Sequence, residues 1–110
     1  MTSRLTSEFW VKAYLARLRL MDIPAFLTAR GDASAGAVLV KINTLDGNAE
    51  AFQRSYDLEG NRIWAPLSQG TDAEVEDALS RQRKYDPDIW IIEVEDKQGR
   101  SLLDQDGLSG

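Results

Sequence analysis

Neither histidine nor cysteine occurs among the 110 residues of this chain. The two side chains that most often act near neutral pH as proton shuttle, thiolate nucleophile or transition-metal ligand are therefore missing. A serine–histidine–acid triad, a cysteine–histidine pair and a tetrahedral zinc site are excluded with them. No stretch approaches the roughly 18 uninterrupted apolar residues of a membrane span, and Met1 to Leu5 leads into a polar helix start instead of the apolar run of a signal peptide. A soluble, cytoplasmic protein is expected. The eight glycines never fall at the G-x-G-x-x-G or G-x-x-x-x-G-K-S/T spacing that cradles phosphate. No cofactor is implied.

What is present fits one domain over residues 1–110, with 104–110 as a frayed tail: 43% of the residues are hydrophobic and 28% charged, enough apolar surface for a core without disulfide or metal. The net charge of -5 is unevenly placed. Residues 1–30 carry five bases against two acids, and the remainder eight against sixteen. So small a basic stretch makes nucleic acid and anionic membrane poor partners, because phosphate binding needs clustered, uncompensated Lys and Arg. The basic helix is better matched to acidic surface on the same molecule or a second copy of it.

Ser7 reads as the N-cap of a first helix, whose apolar stripe is Val11, Tyr14, Leu15, Leu18 and Met21 with Trp10 at its flank. Pro24 ends it near Asp22. The period then becomes two. Ala25 to Arg30 and Ala35 to Asn43 read as strands, the second with Val38, Val40 and Ile42 on one face and Leu39, Lys41 and Asn43 on the other. Asp46-Gly47 marks a two-residue hairpin turn and Ala49 to Tyr56 the returning strand. Asp57 to Asn61 forms another turn before a short strand, Arg62 to Ala65, which Pro66 makes an edge or ends. Thr71-Asp72-Ala73-Glu74 is a capping box opening a second helix that closes at Asp86-Pro87. Ile89 to Glu95 is the strongest strand, and Arg100 to Leu103 is expected to pair back after a turn. The expected fold is α+β: an antiparallel meander of about five strands with both helices on one face, in the order α-β-β-β-β-α-β(-β).

Pro87-Asp88 followed by Glu95-Asp96-Lys97 has the look of a metal-dependent nuclease signature, but an odd separation along one strand sends Asp88 and Glu95 to opposite faces. The acidic loops at 57–61 and 104–107 lack the further ligands of a calcium loop. Trp10 and Trp90 read as core. Trp64 and Arg62, sharing one face of an edge strand, read as a candidate interface.

The residues Arg4-Leu5, Ser7, Trp10-Val11, Arg30-Gly31-Asp32, Ala35-Gly36-Ala37-Val38, Lys41, Asn43, Leu45-Asp46-Gly47, Asp86-Pro87-Asp88-Ile89-Trp90, Glu93, Glu95-Asp96 and Gly99-Arg100 together resemble domain-of-unknown-function family 1491. These are short single-domain alphaproteobacterial proteins. The resemblance runs from about residue 4 to 104, weakest at 48 to 70, and implies no reaction, cofactor or catalytic residue. The reading is therefore a non-enzymatic binding or protein-interaction module that associates with itself. The alternative is a small carboxylate- or Mg²⁺-dependent enzyme or ligand-binding protein using Lys41, Asn43, Glu93, Glu95 and Arg100. Convergence of those five in one pocket would favour the alternative, and dispersal the module.

Overall fold

A computed structural model describes residues 5–105, so residues 106–110 of the expected tail lie outside the described ones. The first helix, α1, spans Ser7–Leu20 and is capped by Thr6, whose hydroxyl accepts from the Phe9 N–H at 3.2 Å. Ser7 is thus the first helical residue instead of the cap, and its hydroxyl donates to the Gly36 carbonyl at 2.6 Å. Trp10, Val11, Tyr14 and Leu18 are buried as their spacing requires, whereas Met21, beyond the helix end, is exposed.

The strands are β1 (Ala25–Ala29), β2 (Val38–Asn43), β3 (Asn48–Tyr56), β4 (Arg62–Thr71) and β5 (Trp90–Glu95), with the second helix, α2 (Asp72–Tyr85), between β4 and β5. They form one sheet in the order β1-β5-β2-β3-β4. β5 pairs antiparallel with β1 and parallel with β2, so the sheet is mixed, not an antiparallel meander. The reason lies in β5 itself. A run of Trp90, Ile91 and Ile92 buried on both faces belongs in the middle of a sheet, and a parallel neighbour requires the long crossover that α2 supplies.

The helices cover opposite faces, which corrects the expectation of one. Trp10, Val11, Tyr14 and Leu18 of α1 pack on Val38, Val40, Ile42, Trp90, Ile92 and Val94. Val75 and Leu79 of α2 pack on Leu39, Ala49, Ala51, Ile89 and Ile91. Three further corrections concern turns and ends. Leu45 and Gly47 both adopt positive φ, 62° and 90°, in a loop longer than two residues between β2 and β3. β4 runs through Pro66 to Thr71, past the expected end at Ala65, because Pro66 sits, as expected, on the sheet's edge strand, beside a register shift that leaves Leu67 as the extra residue. Arg100 to Leu103 forms no strand: Leu102 turns at φ 60°, Leu102 and Leu103 close the α1 core, and the Tyr14 hydroxyl donates to the Ser101 carbonyl at 2.8 Å.

The start of β5 is fixed by close backbone approach. The Asp88 carbonyl accepts the Asp32 N–H at 3.0 Å, and a Cβ on Gly31 or Gly36 would lie 2.1 or 2.2 Å from that same oxygen. Only glycine fits either position. The Trp90 indole N–H donates to the Asp32 carbonyl at 2.7 Å, so the largest buried side chain is held at both its ring and its polar atom. Trp90→Ala is expected to cost about 3–5 kcal/mol, a large fraction of a domain's stability. Urea unfolding measures it, and a variant as stable as the parent would show that Trp90 is not structural.

Candidate functional site

Lys41 is 2% exposed in the middle of β2, an ammonium that must be paired to be buried. Its Nζ lies 2.5 Å from Asp72 Oδ1, 2.5 Å from Glu76 Oε1 and 3.5 Å from Glu93 Oε1. Asp72 and Glu76 stand four residues apart at the start of α2, on the helix face turned toward the sheet, and Glu93 is Lys41's register partner on β5. Asn43 donates to Glu93 Oε2 at 3.3 Å. Burial lowers the Lys41 value, but the hydrogen bonds to Asp72 and Glu76 and the charges of Glu93 and Glu76 outweigh it and leave the ammonium above the ordinary lysine range.

The five expected polar residues thus divide. Lys41, Asn43 and Glu93 meet beneath α2, and Glu95 shares their face as the partner of Asn43. Arg100 lies elsewhere. Its backbone N–H and guanidinium donate to Asp96 at 2.7, 3.1 and 2.9 Å, and this bonding, against the opposing effect of burial, holds the Asp96 carboxyl below the usual range. None of four surface clefts is lined by any of the five, and no group of acidic residues among the described residues is placed to hold a metal ion. The Lys41 cluster fastens α2 across β2 and β5.

Lys41→Ala, which leaves three acids around an empty site, is expected to cost about 2–3 kcal/mol, toward or below the low end for a broken buried pair because Asp72 and Glu76 are half exposed. The pH dependence has a defined sign. A raised lysine value contributes stability that is complete below about pH 10.5 and is lost as pH rises through the folded value. Tyr14, raised by burial, adds to the alkaline loss in parent and variant alike. The difference between parent and Lys41→Met unfolding curves should therefore shrink above that pH; a constant difference would show that the ammonium's charge is not what Lys41 contributes.

A different place in the fold carries an open concave surface. Between the N-terminus of α1, the 34–38 segment and the β3–β4 ribbon lies a cleft of about 530 Å³, within the range of small-ligand sites. Trp10, Trp64, Arg54 and Arg62 line it, so the two residues expected at an interface are both here. Arg54 and Trp64 face one another across the ribbon, with Arg62 diagonal to Arg54. The ring centroids of Trp10 and Trp64 are 5.3 Å apart, and the Arg54 guanidinium stands 4.3 Å from the Trp64 ring and 5.8 Å from that of Trp10. Burial first, and the neighbouring Arg62 charge second, lower Arg54 to about 10, so it remains a cation at neutral pH. Trp10 is 8% exposed, and its buried indole N–H has no hydrogen-bond partner. A lone buried donor is uncommon enough to require a reason.

Trp10 holds the core place expected for it while also bordering the cleft, whereas Arg54 was passed over in the sequence. The signal was available: Tyr56 and Arg62 flank the 57–61 turn, and pairing them sets Arg54 opposite Trp64.

A family model described as a protein of unknown function, DUF1491, matches residues 5–104. Among solved structures, the chain is similar to the crystal structure of a DUF1491 family protein from Caulobacter crescentus, with 35% identity, TM-score 0.83, and 92% of this chain and 96% of that one covered. An NMR structure of a DUF1491 family protein from the same organism gives 34%, 0.80, and 94% and 96%. A solution structure of a protein from A. tumefaciens gives 25%, 0.71, and 84% and 86%. Both organisms are alphaproteobacteria. Comparison with curated proteins gives no match.

Proposed function

Since the chain belongs to the DUF1491 family, described as proteins of unknown function, we propose from the geometry that it is a non-enzymatic binding module whose recognition site is the Trp10–Trp64 cleft. The observation that carries this reading is the lining of the cleft, where Trp10 and Trp64 meet beneath the Arg54 guanidinium with Arg62 beside them. The Lys41 cluster, by contrast, has its charges directed at one another beneath a helix.

The three tryptophans provide the test. Titration with small fragments of mixed charge, followed through the indole N–H resonances, should move Trp10 and Trp64 for some fragments and leave Trp90, bonded to Asp32, unmoved. A panel that moves none, or all three alike, sinks the cleft as a binding site.

Self-association is a second reading, favoured by one edge of the sheet. β1 carries no charge, ends the sheet on one side, and exposes Phe26 and Leu27. Such an edge is a template for strand pairing, and a second copy would cover it symmetrically. Light scattering at micromolar concentration should give the mass of two chains in low and high salt, and of one chain for Leu27→Lys, which charges the edge. A single-chain mass for the parent throughout rejects the dimer. Among the described residues no helix is long and apolar enough to cross a membrane.

A further inference from the structure

We propose that the ligand of the Trp10–Trp64 cleft is a small organic anion, a carboxylate or phosphate monoester carried on an apolar body; this rests on the cleft being a binding site. The chain has 18 acidic residues against 13 basic ones, yet no described residue lining the cleft is acidic and two are arginines. Arg54 and Arg62 lie on adjacent strands with their charges close enough to repel, and an anion between them converts that repulsion into two attractions. Arg54 rests over two indole rings, so its planar fork is held in place before a ligand arrives.

The helix adds a field of the same sign. The 14-residue α1 begins at Ser7 in the wall of the cleft, so its positive end faces the site. Its first N–H groups are engaged, Ser7 with the Ser34 carbonyl, Glu8 with that of Ala33 and Phe9 with the Thr6 hydroxyl, so it acts through its dipole and not through donors. The charged donors lining the cleft are Arg54 and Arg62, a pair that calls for acceptor oxygens and offers nothing to a cation. Ala35, Ala37 and Val38 beside them supply apolar contact for the remainder of the ligand.

The experiment uses four probes of one size on the whole chain: phenyl phosphate, benzoate, benzyl alcohol and benzylamine, each titrated against the Trp10 and Trp64 indole resonances. Phenyl phosphate or benzoate should move both, weaken as salt rises, and bind about tenfold or more weakly to Arg62→Gln. Arg62 is exposed, so its variant should fold, and an unmoved Trp90 resonance verifies this. Whichever anion binds tighter identifies the head group, and either result supports the inference. If benzyl alcohol or benzylamine moves the two indoles as strongly as the anions, or if Arg62→Gln binds the anions as the parent does, the anion assignment is wrong while the cleft stands as a site. If no probe moves either indole, both the assignment and the cleft fall.

Discussion

One carbonyl oxygen, that of Asp88, holds the molecule in register. Gly31 and Gly36 lie against it so closely that any side chain would collide, and the Asp32 N–H is bonded to it. From this contact the other attachments follow. The Asp32 carbonyl receives the Trp90 indole and the Ala37 carbonyl receives the Trp90 backbone N–H, which sets β5 beside β2. The carbonyls of Ala33, Ser34 and Gly36 receive the start of α1. Arg83, near the end of α2, donates to the carbonyls of Arg30, Pro87 and Ile89. The segment from Arg30 to Ala37 is thus irregular, yet its backbone groups join both helices to the central strand pair.

That strand pair is the shared wall of two cores. Because successive residues of β2 and β5 point to opposite faces, Val40 and Ile92 serve α1 while Leu39 and Ile91 serve α2. The same alternation puts Lys41 and Glu93 under α2, where only a helix whose first turns are acidic could cover an ammonium. A burial that would be unfavourable for an isolated charge becomes a fastening between layers.

Much of this was legible. The capping box at Thr71–Glu74, the stripe of α1, the parity of β2 and the β3–β4 ribbon each follow from local spacing, and local spacing is what short-range sterics dictate. The topology was not read correctly, although its signal was present. A strand closing a meander alternates apolar and polar residues, whereas Trp90-Ile91-Ile92 does not, and a strand without alternation has two buried faces. With β5 in the centre, α2 becomes a crossover and the two helices part to opposite faces. The candidate polar residues followed the same pattern: strand parity joined Lys41, Asn43, Glu93 and Glu95, but Arg100 lies past the end of β5, where parity has no hold and Asp96 decides its direction. The cleft depends on contacts between α1 and the ribbon, distant in sequence, which no periodicity encodes.

The central position of β5 also sets the order in which the chain can become a protein during synthesis. The first helix, α1, finds half of its apolar floor on β5, and β2 waits for its parallel neighbour until three intervening elements have been produced. Contacts of such long sequence separation form late and slowly. Until β5 leaves the ribosome, the β2–β3–β4 ribbon is a sheet with an open inner edge and each helix has only part of its apolar floor, so neither core can close early and folding waits on β5.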